Sequence, residues 1–332
     1  MTSTTANGTQ HPDFAGYLYV YFKAESVDGE QIHFALSDGN SPLHFDDLNG
    51  GRPVLCSKLG ERGVRDPHVV RAPDGDRFHL VATDLRVHAS TDWDRHVRHG
   101  SRSIVVWESR DLVNWDEGRL VEVAPPQAGN AWAPESVWDP EHDAFLVHWS
   151  STLYDDAEHE GAGYNRIMYS FTRDFRHFSE PHVWIDRGWP TIDATVIQHE
   201  GLYYRFLKDE RDRDGVAPQG KSVFSETSES LSAPHWTPLA SGIGLGAISQ
   251  GEGPLVYKSN TDDKWYLWID EFTPERRYVP FESTDLASGQ WAPSEDFRLP
   301  SDPCHGVVLP VTAEEYERLS GAWGVSAVSE GD

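Results

Sequence analysis

The sequence predicts an all-β protein folded as a five-bladed β-propeller, and three observations carry that prediction. Runs rich in aromatic and β-branched residues recur five times, each followed by a second apolar run and a polar turn. A bulky aromatic stands at a similar offset beyond every turn, and the unit repeats at intervals of 50 to 70 residues. Helical periodicity is nearly absent before the last part of the chain.

The first run of each unit reads YLYVYF (Tyr17 to Phe22), FHLVAT (Phe78 to Thr83), FLVHWS (Phe145 to Ser150), YYRFLK (Tyr203 to Lys208) and WYLWID (Trp265 to Asp270). The second runs are IHFALSDG, IVVWESRD, IMYSFTRD, SVFSETSE and VPFESTD, and the aromatics beyond the turns are Phe45, Trp115, Phe178, Trp236 and Trp291. Repeats of this length mark radially arranged sheets whose facing sides share a continuous core. The competing arrangement is an irregular β-sandwich.

A leader precedes four of the five first runs: RDPHVVRAPDG, APESVWDPEHD, TIDATVIQHEG and GEGPLVYKSNTDD. The run at Tyr17 lacks one, and the missing leader stands at the other end of the chain as CHGVVLPVT. The N-terminal strands are therefore expected to complete the blade that residues 305–312 begin, which closes the ring and removes its exposed edges. All five repeats are needed for that ring, so residues 1–332 are expected to form one domain.

In a propeller the leading strands are innermost, and the residues that open them converge on the axis. Those residues are Asp66, Glu135, Asp193, Glu252 and His305. Carboxylates gathered on an axis suit either a hard cation bound through oxygen or hydrolysis of a glycosidic bond. Hydrolysis needs a protonated acid beside the leaving oxygen and an ionised base for water, and unequal burial of several acids supplies both states. Trp132 and Trp189 stand just ahead of Glu135 and Asp193, where an aromatic face suits a sugar ring, although core packing is the blander explanation for any single Trp.

The net charge of −26 disfavours nucleic acid and anionic membrane as partners, because the long-range field repels them. No basic segment followed by an apolar one opens the chain, and no apolar run approaches the roughly 18 residues of a membrane helix, so a cytoplasmic location is expected. Two cysteines, Cys56 and Cys304, do not make a disulfide framework and are expected to be free thiols. No zinc-like cluster of histidines is present.

RDPHVV at Asp66, TIDATVI at Asp193, GEGPLVYK at Glu252 and CHGVVLP at His305, in that order and phase, resemble the glycoside hydrolase family 43 catalytic domain, a five-bladed β-propeller. The resemblance covers nearly the whole chain. It implies an inverting hydrolase in which Asp66 is the general base, Glu252 the general acid, and Asp193 the third carboxylate that raises the acid's pKa and holds it in place. No cofactor is required by that chemistry. His305 is similar to a family histidine near the axis, beside water or a bound ion that is often calcium; a buried, hydrogen-bonded histidine is an equal alternative. Glu135, in WAPES, resembles a family segment that lines the pocket or supports the axis. Arg205, shortly after Asp193, is expected to pair with the acids, to bind a sugar hydroxyl, or to lie on a solvated face.

Family members usually carry the base very near the N-terminus, whereas a long strand-forming segment precedes Asp66 here. The resemblance implies a substrate bearing arabinofuranose, removed as a terminal sugar from an oligosaccharide or glycoside. A β-D-galactofuranosidase, a β-xylosidase and a non-catalytic sugar-binding propeller are the alternatives. The polar segments TDLRVHASTDWDRHVRHGSRS, STLYDDAEHEGAGYN and KDERDRDGVAPQG are expected to wall off a small pocket that favours exo action.

Overall fold

A computed structural model describes residues 13–273 and 277–324. The expectation that no targeting leader opens the chain falls largely on positions 1–12, outside the described residues. Strands β1 (Phe14–Lys23), β2 (His33–Ser37) and β3 (Phe45–Asp47) belong to one four-stranded sheet. The next sheet contains β4 (Val64–Arg71), β5 (Phe78–Asp84), β6 (Ser103–Ser109) and β7 (Arg119–Glu122). A seven-residue helix, α1 (Trp93–His99), interrupts the connection between β5 and β6.

Two further sheets follow in the same pattern: β8 (Trp132–Asp139), β9 (Ala144–Leu153), β10 (Tyr164–Thr172) and β11 (His182–Ile185), then β12 (Thr191–His199), β13 (Leu202–Asp209), β14 (Ser222–Ser228) and β15 (Thr237–Ile243). The fourth repeat is β16 (Glu252–Lys258), β17 (Trp265–Glu271), β18 (Arg277–Ser283) and β19 (Ala292–Pro293). Strand β20 (Pro303–Thr312) then pairs antiparallel with β1, with Leu18 opposite Leu309 and Val20 opposite Val307. The chain is a five-bladed β-propeller in which the N-terminal strands complete the blade begun near His305.

The predicted aromatic runs form the second strand of each blade, because they are buried on both faces between neighbouring sheets: β1, β5, β9, β13 and β17 are almost wholly buried. Each pair of adjacent blades encloses apolar side chains. Tyr17, Tyr19 and Tyr21 of β1 meet Trp268 of β17 across one junction, and Leu18 and Val20 meet Leu80 and Val105 across the next. These two junctions join the chain ends to the ring. Truncating a buried aromatic such as Trp268 in such a core costs about 3–5 kcal/mol.

Helix α2 (Ala313–Trp323) follows β20 and starts with a capping box, in which the Thr312 hydroxyl accepts from Glu315 N–H and the Glu315 carboxylate accepts from Thr312 N–H. Leu319 is fully buried in the core at the closing blade. Cys56 is exposed and Cys304 is buried, and no disulfide joins them. Among the described residues no helix is long and apolar enough to cross a membrane.

Candidate functional site

All five innermost strands slip register near their start; in β20 the slip lies between Pro303 and Gly306, around His305, and the other four share one backbone form. The pairing slips between Arg65 and His68 in β4, between Trp132 and Glu135 in β8, between Ile192 and Thr195 in β12, and between Glu252 and Leu255 in β16. Each slip is a β-bulge, a device that re-aims side chains at the rim of a sheet. The first bulged residue adopts a left-handed backbone in all four: Asp66 at φ 50°, Ala133 at 46°, Asp193 at 54° and Gly253 at 50°.

That register corrects the expectation of strictly matched acids. Asp66 and Asp193 occupy the bulge position itself, Glu252 stands one residue before it, and Glu135 two residues after. Backbone sterics explain the choice: aspartate tolerates the left-handed region better than most residues, whereas glutamate does not share that advantage. In β16 the slot is filled by Gly253, where a Cβ would also come within 2.8 Å of the His305 ring. Glycine there is required by both conformation and space, and the acid is displaced to the preceding residue.

The bulges are tied to one another. The Thr83 hydroxyl donates to Asp66 Oδ2 at 2.8 Å and accepts from Ala133 N–H at 2.7 Å. The Ser150 hydroxyl accepts from Asp193 N–H at 3.1 Å, and Asp193 Oδ2 accepts from Gly253 N–H at 3.0 Å. The Tyr278 hydroxyl donates to the Gly253 carbonyl. Asp66, Asp193 and Glu252 are thereby held close together on three blades around the axis.

Beneath them His305 stands between two acids, with Nδ1 3.5 Å from Asp66 Oδ1 and Nε2 3.9 Å from Glu135 Oε1. His68 Nε2 lies 3.7 Å from the other Glu135 oxygen. Burial works against a charged ring at position 305, but Asp66, Asp193 and Glu135 outweigh it and raise His305 to about 9. Burial instead keeps His68 neutral, lowered to about 3 with help from the His305 charge.

The acids differ sharply. Burial pushes Asp66 upward, but His305, Arg65 and the Thr83 hydroxyl outweigh it and hold the carboxyl below the ordinary aspartate range. Asp193 is raised to about 6, by burial and by the nearby Glu252 charge, against the opposing pull of His305 and Lys208. Burial raises Glu135 to about 8 despite His305 and a hydrogen bond from Thr195. One carboxylate kept ionised beside others held partly or wholly protonated is the inequality that acid–base chemistry needs.

Glu252 accepts from Lys208 Nζ at 2.7 Å, and the same ammonium lies 2.6 Å from Glu210. Sequence reasoning missed Lys208 and singled out Arg205, three positions earlier in the same strand. Side chains alternate along a strand, so the two point to opposite faces. Arg205 is buried between Trp184 and Trp236 and pairs with Glu226, its Nε 2.6 Å from Glu226 Oε1. The structure does not bring it to Asp66, Asp193 or Glu252 through any described ion pair, and it is not on a solvated face.

Trp132 stands one residue before its bulge, as Glu252 does, and its ring meets Trp93 of α1 edge-on at 6.4 Å. Trp93 is 47% exposed, an unusual state for so large an apolar group, and the sequence pattern places its segment in a wall without distinguishing it. Arg98 of the same helix donates to the His159 and Gly161 carbonyls, which joins two of the expected walls. Trp189 lies apart from this pair, edge-on to Phe224 at 5.7 Å and beneath the Arg211 guanidinium at 4.0 Å.

His305, between Asp66 and Glu135, would face an axial ion through water, the role expected of it from the sequence. Asp139, Glu141 and His142, at the β8–β9 turn, bring three potential ligand atoms within 4.8 Å of one another. They stand at the far end of β8 from its bulge.

A family model described as "Probable glycosyl hydrolase domain" matches residues 12–317. An "Alpha-L-arabinofuranosidase" of Bifidobacterium longum subsp. longum is 36% identical over 279 residues, 76% of this chain, and the chain spans only 26% of that relative's length. Among solved structures, a thermostable family-43 glycoside hydrolase superposes with a TM-score of 0.50 at 19% identity, covering 70% of this chain and 72% of that one. The catalytic domain of a Coprinopsis cinerea GH62 alpha-L-arabinofuranosidase gives 0.51 at 16% identity, over 76% and 74%. At those identities the structural likeness speaks for the fold, while the family model and the curated relative speak for ancestry. With five blades, acids gathered around the axis and a match over residues 12–317, the chain belongs to the family-43-related glycosyl hydrolases.

Proposed function

We propose that the protein is an inverting, exo-acting α-L-arabinofuranosidase that releases terminal arabinofuranose from an oligosaccharide or glycoside. Asp66 takes the proton from a water that attacks the anomeric carbon, while Glu252 protonates the glycosidic oxygen from the opposite side as that bond breaks. Asp193 contributes a negative charge beside Glu252 and holds the neighbouring Gly253 N–H, which favours the protonated acid and its position. The reaction asks for no cofactor.

The observation that carries this reading is the inequality of the acids around the axis: Asp66 held ionised by His305, with Asp193 raised beside Glu252. The name of the Bifidobacterium longum relative supports the sugar. Trp132 and the exposed Trp93 offer apolar faces to the sugar beyond the scissile bond, and Glu135 supports His305 from below. In this reading Trp189, beneath Arg211, borders the site, while Arg205 takes no part in it and braces the blade through Glu226 and Trp236.

The test is a panel of aryl glycosides carrying α-L-arabinofuranose, β-D-galactofuranose or β-D-xylose, assayed with wild type and Glu252→Gln. The arabinofuranoside is expected to be cleaved with the highest kcat/KM. Glu252→Gln is expected to lose roughly 10²-fold on an alkyl or sugar leaving group and far less on an activated aryl one. Equal losses on both remove Glu252 from the acid role; preference for another sugar reassigns the substrate.

A further inference from the structure

Opposite the residue that precedes each of the four left-handed bulges, the second strand of the blade places one side chain toward the axis. The four are Thr83 opposite Arg65, Ser150 opposite Trp132, Lys208 opposite Ile192, and Asp270 opposite Glu252. Thr83 and Ser150 do the same work: each hydroxyl accepts the N–H of the next blade's bulged residue. The third position breaks the pattern, because Asp193 accepts that N–H from Gly253 itself. The N–H that Thr83 and Ser150 serve in their blades therefore makes no demand on Lys208.

Lys208 is nonetheless driven into the interior. Its side chain is 3% exposed, its ammonium lies 4.5 Å from the centre of the Phe272 ring, and among the described residues it meets oxygens of Glu252 at 2.7 Å and Glu210 at 2.6 Å. Glu210 is shared in turn with Lys221 at 2.8 Å. Burial of a lysine is costly and is tolerated only with close anionic partners. Those partners hold the ammonium charged against the effect of burial.

We propose that Lys208 is a positioning residue for Glu252: its ammonium grips one carboxyl oxygen, fixes the orientation of the group, and stabilises the carboxylate formed when the proton leaves. Glu210 competes for the same ammonium and moderates its pull, so that Glu252 still holds a proton before cleavage. The inference rests on Glu252 being the acid. The proton passes from Glu252 to the leaving oxygen and returns from solvent, and Lys208 neither gains nor loses one. Among the described residues, the charged and titratable groups around Glu252 include Lys208 and Glu210 on and beyond β13, Asp193 on β12, Asp270 on β17, Tyr278 on β18 and His305 on β20.

The experiment is the pH dependence of kcat/KM for wild type, Lys208→Met, Lys208→Arg, Glu210→Gln and Glu252→Gln on a substrate with a poor leaving group. Removing a cation in contact with a carboxyl raises its pKa, so Lys208→Met is expected to move the alkaline limb upward by about 1–3 pH units. The plateau rate should fall roughly threefold to tenfold because the acid is weaker. Lys208→Arg should return the limb toward wild type. Glu210→Gln should move it downward, since the ammonium then acts on Glu252 alone. A folded Lys208→Met whose limb stays in place, or moves downward, overturns the proposal. If Lys208→Met does not fold, an unmoved or upward-shifted limb in Glu210→Gln overturns it instead. Glu252→Gln separates the two readings: if it leaves the alkaline limb intact, the acid assignment fails and takes this proposal with it. If it abolishes the limb while the Lys208 and Glu210 variants leave it unmoved, only the role of Lys208 falls.

Discussion

Asp193 Oδ2 accepts from Gly253 N–H at 3.0 Å, so the carboxylate proposed to keep Glu252 protonated also grips the peptide that carries it. Charge and position are combined in one group, and two substitutions separate them. Asp193→Asn keeps an acceptor but removes the charge, and the alkaline limb of kcat/KM is expected to move downward by about one pH unit or more. Asp193→Ala also leaves a buried N–H without its partner, which costs about 1–3 kcal/mol and is expected to lower thermal stability where Asp193→Asn does not. Indistinguishable pH profiles for wild type and Asp193→Asn would remove the electrostatic role.

Asp66 supplies a different function and predicts a different pattern. If it activates water, Asp66→Ala is expected to lose about 10²–10⁴-fold on every substrate, with no recovery on an activated aryl glycoside. Proton NMR of the first sugar released from an α-L-arabinofuranoside should show the β-anomer before mutarotation. Initial appearance of the α-anomer would mean a nucleophilic carboxylate and a retaining course.

His305 links activity to stability. Its folded-state value of about 9 lies above the ordinary 6.5, so the stabilisation it contributes is fully present below pH 6.5 and is lost as pH rises through 9. Glu135, raised from 4.5 to about 8, acts with the same sign, because the folded state again binds the extra proton. The thermal midpoint is expected to fall between pH 6.5 and 9, with a shallower fall in His305→Gln. In activity, His305→Gln removes the cation that holds Asp66 down, and the acid limb of kcat/KM should move upward by about one unit. An unmoved acid limb would show that Asp66 does not depend on His305 for its charge.

Much of this site is legible in the order of the amino acids alone. Strand-forming runs, their turns and the acids that open the leaders are local features, and their phase along the sequence counts the blades. The displaced leader at His305 likewise identifies the sheet that closes the ring, since an unpaired edge at Tyr17 needs a partner and CHGVVLPVT is the unit left over. The positions of Asp66, Asp193 and Glu252 at the starts of β4, β12 and β16 follow from the same phase.

What the phase does not resolve is register across strands and the partner waiting on each face. A bulge moves a carboxyl by one or two residues without leaving a sequence signature, so Glu135, Glu252 and the two aspartates look equivalent in the repeat and are not. Lys208 and Arg205 read as neighbouring cations in YYRFLK. In the packed ring one faces Glu252 and the other Glu226, because alternation along β13 separates them and contacts from distant blades select their partners. Local pattern thus names the residues that open the innermost strands, whereas packing of the blades settles which of them meet, because charge pairing across the ring depends on ångström-scale placement by strands far apart in the chain.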